Sequence, residues 1–117
     1  MKISTMRDLL DAEVLASEEN LERHVYSACG CDLMSDVLAY VKDQAVLLTG
    51  LVNPQVIRTA VMMDMICIVF VRSKTPTEEI LELAREAGIV IMRTDKRLYE
   101  ACGLLYSNGL VGNKTKN

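Results

Sequence analysis

The sequence predicts a single α/β domain, a three-layer α/β/α arrangement with a mainly parallel sheet between two layers of helices. Two continuous apolar runs of strand length, Ile66 to Val71 and Ile89 to Met92, are typical of strands that are buried on both faces. The stretches that follow the predicted strands have the apolar spacing of helices. Strands that alternate with helices in this way form βαβ units, whose strands lie parallel in one sheet.

The segment that defines the fold runs from Val46 to Val71, VLLTGLVNPQVIRTAVMMDMICIVFV. It predicts a strand that ends at Thr49-Gly50, a helix capped by Asn53, and a second strand. Asparagine is a favoured N-cap, and proline is favoured at the first helical position, which here is Pro54. In open α/β sheets, ligands bind where strands end and helices begin, so we expect any site at this loop.

The remaining elements are predicted from caps, apolar spacing and turn residues. In chain order they are a helix over 4–11, a short strand over 14–15, a weak central strand over 24–28, a helix over 32–42, a helix over 76–87, a strand over 89–92 and a last helix from 94 or 95 to about 106. Ser4 and Thr75 are expected as N-caps, and Gly88 as the residue that ends its helix. Cys29-Gly30-Cys31 is expected to form a tight turn.

Length and charge indicate one globular domain over residues 1–110 with a loose tail over 111–117. The net charge of −3 lacks the basic excess of a nucleic-acid-binding protein, although Arg93, Lys96 and Arg97 form a local basic cluster. No segment has the roughly 18 uncharged apolar residues that a membrane span needs, and the acidic N-terminus is unlike a signal peptide. A cytoplasmic protein without nucleic-acid or membrane partners is expected.

The four cysteines are expected as free thiols, as is usual in the cytoplasm. Four thiols are able to hold zinc or an iron–sulfur cluster. However, Cys29 and Cys31 do not form a CxxC pair, and Cys67 falls in a buried strand. No metal or cofactor is therefore predicted, and a redox role of the Cys29/Cys31 turn depends on its exposure.

Candidate catalytic groups are few. Asp32 and Asp36 lie four residues apart, on one face of the predicted helix, with Ser35 beside them. Paired carboxylates do acid–base work in enzymes, but a helix cap and solvated surface residues explain this pair more simply. The chain has no phosphate-binding P-loop, because G-x-x-x-x-G-K-[ST] does not occur in it. An enzyme is therefore the least favoured hypothesis, and no catalytic residue is predicted.

Four stretches of the chain form a recognisable combination. They are DLMSDVLA (Asp32 to Ala39), LLTGLVNPQVIRTA (Leu47 to Ala60), KTPTEEILELAREAGI (Lys74 to Ile89) and YEACGLLY (Tyr99 to Tyr106). Together they resemble the DRTGG domain family over almost the whole chain, although the Asp-Arg-Thr-Gly-Gly motif is not spelled. The family includes the DRTGG domains of phosphotransacetylases and CBS-containing pyrophosphatases, and is related to the N-terminal half of HPr kinase/phosphorylase. The resemblance implies a regulatory or assembly domain rather than a kinase.

The first hypothesis is a non-catalytic regulatory or interaction domain that forms a homodimer. The helix before Ile66 has apolar residues on more than one side, so the predicted interface is Met62, Met63 and Met65. The resemblance adds a redox- or hydrogenase-related protein as a further partner.

The second hypothesis is a sensor of a nucleotide or another phosphorylated metabolite. A glycine permits close backbone approach, and a helix N-terminus attracts anions. The predicted ligand-binding residues lie at the carboxyl edge of the sheet: Asp32, Ser35, Thr49, Gly50, Asn53 and Thr94. The third hypothesis is an enzyme that uses Asp32 and Asp36.

Overall fold

The computed structural model describes residues 1–40 and 44–111, except for the side chain of Tyr40. The elements of these ranges, in chain order, are α1 (Ile3–Leu10), β1 (Glu13–Ala16), β2 (Ser27–Gly30), α2 (Met34–Tyr40), β3 (Ala45–Thr49), α3 (Pro54–Met62), β4 (Cys67–Phe70), α4 (Glu78–Ala87), β5 (Val90–Arg93) and α5 (Leu98–Ser107), with one short 3₁₀ helix at Glu18–Asn20. The end of the predicted second helix and the predicted tail beyond residue 111 lie outside the described residues.

The sheet has five strands in the order β1-β5-β4-β3-β2. The strands β2 to β5 are parallel neighbours, and β1 pairs antiparallel with β5. Helices α2, α3 and α4 pack on one face of the sheet, while α1 and α5 pack on the other. The predicted three-layer α/β domain with a mainly parallel sheet is therefore confirmed.

The core lies on both faces of the central strands. Every residue of β3 and β4 is buried, as their continuous apolar runs predicted. Side chains alternate between the faces, so Leu47 and Phe70 meet α2 to α4, whereas Leu48 and Val69 meet α1 and α5. Each such side chain contributes about 1.5–3 kcal/mol when it is fully buried.

The caps of α3 and α4 determine where the two central helices begin. Asn53 accepts the Gln55 N–H at 2.8 Å and Pro54 follows it, so the predicted start of α3 is confirmed. The start of α4 was predicted two residues too early. Thr77 is the cap and accepts the Ile80 N–H at 3.3 Å. The hydroxyl of Thr75, the predicted cap, instead accepts a hydrogen bond from Arg93 at 2.9 Å.

Strand β2 corrects two predictions. It is an edge strand rather than a central one, and it begins at Ser27. The predicted tight turn is wrong for Cys29 and Gly30, because these residues continue the parallel ladder opposite Leu47 and Leu48. Val25, which was expected in the strand, is buried just ahead of it.

Two helix starts also differ from the prediction. Ser4 lies inside α1, whose cap position is Lys2 and has no side-chain hydrogen bond. Helix α5 begins at Leu98 rather than near Thr94, because the segment before it is held by contacts at the end of β5. Gly88 ends α4 with a left-handed φ of 72°, as predicted. No helix within the described ranges is long and apolar enough to cross a membrane.

Candidate ligand site at the carboxyl edge

The loop after β3 brings together three of the predicted site residues. Asp32 Oδ1 accepts the Gly50 N–H at 2.8 Å and the Thr49 hydroxyl at 2.9 Å. Thr49 Oγ1 in turn accepts the Leu51 N–H at 3.1 Å. This hydrogen-bonded group, which we call the Asp32 network, ties the segment after β2 to the segment after β3. Its polar groups are therefore largely engaged within the fold.

The other three predicted site residues are not part of the Asp32 network. Asn53 caps α3, and Ser35 is exposed on α2. Thr94 is buried, and its hydroxyl donates to the Leu10 carbonyl at 2.7 Å while it accepts the Lys96 N–H at 3.3 Å. Thr94 therefore faces α1, away from solvent. Ligand contacts by these residues stay a prediction.

Arg72, directly after β4, reaches across to the Asp32 network. A Cβ built on Gly50 would lie 3.0 Å from the Arg72 Cζ and 3.2 Å from its Nε, and would overlap Nη2. Only a glycine lets the guanidinium lie this close to the backbone at position 50. Gly50 was predicted to permit the close approach of a ligand, and here it permits the close approach of a cationic side chain.

The backbone holds Arg72 and Ser73 in an unusual conformation. Both residues have a left-handed φ of 59°, which costs non-glycine residues about 1–2 kcal/mol each. The Arg72 N–H donates to the Lys96 carbonyl at 2.8 Å, and the Ser73 N–H donates to the Thr94 carbonyl at 2.9 Å. These two bonds join the loops after β4 and β5, and they hold the backbone from which the Arg72 side chain extends.

An open cavity of about 460 Å³ lies at this edge and is lined by Arg72, Ser73, Asp95 and Arg97. The fold explains its position. The chain passes from β4 to α4 on one face of the sheet, but from β5 to α5 on the other. The two connections diverge, and ligands of open α/β sheets bind in crevices of this kind outside the carboxyl ends of the strands. We call this the β4–β5 cavity.

The charges in the β4–β5 cavity are incompletely paired. Neither the Arg72 nor the Arg97 guanidinium makes a hydrogen bond or ion pair with any residue that the structure describes. Asp95 Oδ1 accepts the Ser73 hydroxyl at 2.5 Å. Two exposed guanidinium groups are thus available, and guanidinium binds phosphate or carboxylate groups through paired hydrogen bonds.

The β4–β5 cavity was not predicted from the sequence, although the basic cluster at the end of β5 was noted. Of that cluster, Arg93 pairs with Glu13 at 2.8 Å and Lys96 lies 3.9 Å from Glu100, which leaves Arg97 unpaired among the described residues. The sequence signal for this cavity was the recurrence of arginine and lysine within a few residues of the ends of two buried strands, at Arg72-Ser73-Lys74 and again at Lys96-Arg97.

The methionines of the predicted dimer interface have different environments. The Met62 side chain is 69% exposed and Met63 is partly buried, but Met65 is only 2% exposed and belongs to the core. Met65 is therefore corrected to a core residue, because its side chain is not available to a partner. Beside Met62 lies an open groove between α3 and α4, of about 380 Å³, lined by Ile57, Arg58, Val61, Met62, Leu83, Glu86 and Ala87.

A larger cavity, of about 660 Å³, lies at the opposite edge, where the parallel strands begin. Its lining includes one cation, Arg23, and one carboxylate, Asp64. Among the described residues its lining does not gather two unpaired cations as that of the β4–β5 cavity does, and the amino edge is not where open α/β sheets bind their ligands. The carboxyl edge is therefore the better candidate.

The four cysteines are free and do not form one cluster. Cys29 and Cys31 pack on the α2–α4 face, whereas Cys67 and Cys102 pack on the α1/α5 face. Burial, with the neighbouring Cys31, Cys102 and Asp36, raises the pKa of the Cys29 thiol to about 11. Burial also raises the pKa of Cys102 and of Cys67. In the ranges 1–40 and 44–111, no three acidic, histidine or cysteine side chains are placed to hold a metal ion.

The fold and the site together define a small, mainly parallel α/β domain with a cationic cavity at the carboxyl edge of its sheet. A sequence model of the DRTGG domain matches residues 5–107, so the chain belongs to the DRTGG domain family. The resemblance found in the sequence is thereby confirmed.

A similar solved structure contains the CBS and DRTGG domains of the regulatory region of Clostridium perfringens pyrophosphatase, complexed with the activator diadenosine tetraphosphate. The identity is 18% and the TM-score is 0.74, over 98% of this chain. Our chain spans about half of that one, 51% of its length. No curated protein matches the sequence.

Proposed function

We propose that the chain is a non-catalytic regulatory domain that senses a nucleotide or another phosphorylated metabolite in the β4–β5 cavity. The observation that carries the proposal is that two guanidinium groups, those of Arg72 and Arg97, line one cavity and have no partner among the described residues. Two like charges in one cavity repel each other, and a bound phosphate group would relieve this repulsion. An anionic ligand is therefore the occupant that the charges favour.

The position of Arg72 connects the β4–β5 cavity to the loop between β3 and α3. Its guanidinium lies against Gly50, whose N–H is bonded to Asp32. A ligand that drew the guanidinium away would change the contacts of the loop between β3 and α3. Binding in the cavity would thereby reach α2 and α3, whose starts adjoin the Asp32 network.

The similar pyrophosphatase region supports a nucleotide as the ligand class. That region is regulatory, and its activator is a dinucleoside polyphosphate. The four phosphates of such an activator are groups that arginine recognises well. Because the identity is only 18%, the choice of ligand for this chain rests on the charges of its own cavity.

A non-catalytic role fits the environment of the carboxylates that an enzyme would use. Asp32 accepts hydrogen bonds from Thr49 and Gly50, so one of its oxygens has a structural task. Asp36 is exposed on α2. Neither carboxylate is bonded to a histidine within the described ranges, and the one hydroxyl that donates to Asp32, that of Thr49, is completely buried and so not accessible to a substrate.

Isothermal titration calorimetry with ATP, pyrophosphate and diadenosine tetraphosphate tests the sensor proposal. We expect at least one of these probes to bind, and Arg72→Ala or Arg97→Ala to weaken its binding by about tenfold. Arg58→Ala is the matched control, because Arg58 is also exposed and unpaired among the described residues but lies in the α3–α4 groove. No binding at millimolar concentration, or equal losses in all three variants, would overturn the proposal.

We further propose that the chain forms a homodimer through the α3–α4 groove. Val61 and Met62 are 51% and 69% exposed there and adjoin each other in the chain, and contiguous exposed apolar surface is typical of interaction sites. Arg58 and Glu86 flank the same groove, and neither has an ion-pair partner among the described residues. A two-fold axis that runs along the groove would set α3 of one copy against α4 of the other, and so bring the Arg58 of each copy toward the Glu86 of the other.

Sedimentation equilibrium tests the homodimer. The unchanged chain should associate at tens of micromolar, and Met62→Glu should give a monomer because it places a charge in the apolar contact. Arg58→Glu should weaken association by like-charge repulsion, and the double exchange Arg58→Glu with Glu86→Arg should restore it. A monomer at these concentrations, or a dimer that Met62→Glu leaves intact, would refute the interface.

A further inference from the structure

The β4–β5 cavity contains a carboxylate as well as two cations, and this limits what it binds. Resting on the proposed sensor function, we infer that its ligand carries a hydroxyl donor beside its phosphate, as a ribonucleotide does, and that Asp95 selects for that hydroxyl. The inference concerns the class of ligand and names a specificity-determining residue.

The first observation is that Asp95 is not neutralised. It lines the cavity together with Arg72 and Arg97, yet forms no ion pair with either of them. Its Oδ1 accepts the Ser73 hydroxyl at 2.5 Å, while its Oδ2 accepts no hydrogen bond from any described residue. One carboxylate oxygen is therefore free to accept a hydrogen bond from a ligand.

This carboxylate disfavours a plain anion. Inorganic phosphate or pyrophosphate in the cavity would gain from the guanidinium groups but would be repelled by Asp95. A ligand with hydroxyl groups next to its phosphate turns this repulsion into a hydrogen bond. Dinucleotide-binding folds use an acidic residue in the same way, to accept hydrogen bonds from the ribose hydroxyl groups.

The size and rigidity of the cavity agree with a ligand larger than a phosphate ion. Its volume of about 460 Å³ falls in the range of roughly 300–1,000 Å³ that is usual for small-molecule sites. Ser73 and Asp95 are held across the two loops by their own hydrogen bond and by the backbone bond from Ser73 to Thr94. The hydroxyl acceptor is thus held in place between the two loops before a ligand arrives.

Calorimetry of the full chain with ATP, 2′,3′-dideoxy-ATP and pyrophosphate tests the inference. The three probes share a polyphosphate, but only ATP has both ribose hydroxyls. We expect ATP to bind about tenfold more tightly than the dideoxy nucleotide, as a lost hydrogen bond to a charged acceptor predicts. In Asp95→Asn this ratio should fall to about threefold or less, and pyrophosphate should bind more tightly than it does to the unchanged chain.

Asp64→Asn is the matched control, because Asp64 is an exposed carboxylate at the opposite edge of the sheet. It should leave both the ratio and the pyrophosphate affinity unchanged. Equal binding of ATP and its dideoxy analogue overturns the inference but leaves the sensor function standing. A ratio that Asp95→Asn does not alter overturns the role of Asp95. Failure of all three probes to bind overturns the sensor function together with the inference.

Discussion

The loops after β3 and after β4 lie at the same edge of the sheet but treat their polar groups in opposite ways. In the Asp32 network, Thr49 is completely buried and its hydroxyl both donates and accepts. In the β4–β5 cavity, Arg72 of the loop after β4 and Arg97 of the neighbouring loop after β5 are exposed and have no partner in the part of the chain that the structure describes. The polar groups of the first loop thus stabilise the fold, whereas the guanidinium group of the second is available to a ligand.

The two loops also differ in backbone conformation. The loop after β3 leads into a helix with a regular cap, Asn53 followed by Pro54. The loop after β4 instead holds Arg72 and Ser73 in left-handed conformations. Strained residues of this kind are concentrated at functional sites, where the surrounding contacts hold them in place. Substitutions in the first loop should therefore lower stability, and substitutions in the second should weaken binding.

The largest expected effect is on the Asp32 network. Thr49→Val keeps the shape of the side chain but removes the hydrogen bond to Asp32 and leaves the Leu51 N–H without its acceptor. We expect the free energy of unfolding to fall by about 2–3 kcal/mol, because a buried group loses its partner. Urea denaturation followed by circular dichroism measures this change.

Thr59→Val is the control for that substitution. Thr59 is equally buried, but its hydroxyl has no hydrogen-bond partner in the described residues. The valine should leave stability unchanged or raise it by up to about 1 kcal/mol, since an unpaired buried hydroxyl is unfavourable. If both valines lower the free energy of unfolding equally, the hydrogen bonds of the Asp32 network do not stabilise the domain.

Arg72→Gly should weaken ligand binding and leave stability intact, the reverse of Thr49→Val. The expected loss of ligand affinity, about tenfold, is a somewhat smaller effect in free energy. Glycine loses the guanidinium but adopts a φ of 59° without strain, so the free energy of unfolding should not fall. Calorimetry and urea denaturation on the same preparation measure both quantities. A variant that loses stability as well as binding would show that Arg72 is part of the structural network.

Features of the two loops that depend on neighbouring residues were predicted from the sequence, whereas features that depend on distant contacts were not. Asn53, Pro54 and the apolar run of β4 are local signals, and they correctly gave the helix start and the buried strands. Asp32, Thr49 and Gly50 were grouped correctly because parallel strands end at one edge. The hydrogen bonds that engage them depend on side-chain directions, which spacing alone does not determine.

The β4–β5 cavity needed information that is not local. It exists because β5 lies next to β4 and sends its chain to the opposite face of the sheet. Which basic residues near this edge stay unpaired also depends on acids that are distant in sequence. Arg93, for example, is paired with Glu13 of β1. Strand β2 was placed wrongly for a similar reason: only its pairing with β3 shows that Cys29 and Gly30 are in a strand.

Asp32→Asn gives a smaller change in stability, about 1 kcal/mol. The amide oxygen is still able to accept from Gly50 and Thr49, but the hydrogen bonds lose the assistance of the charge. In the Thr49→Val background the same substitution should cost less, because one of the two bonds is already absent. A double-mutant cycle by urea denaturation measures this coupling, and additive effects would argue against a shared network.

Ionic strength gives the smallest effect and distinguishes the loops without any mutation. Because Arg72 and Arg97 are exposed, their attraction for a phosphorylated ligand is screened by salt, and we expect affinity to fall by about two- to fivefold from 50 to 300 mM sodium chloride. The stability difference between the unchanged chain and Thr49→Val should stay constant over this range, since the lost bonds are short and partly buried. Affinity that does not respond to salt would mean that the ligand is bound away from the two arginines.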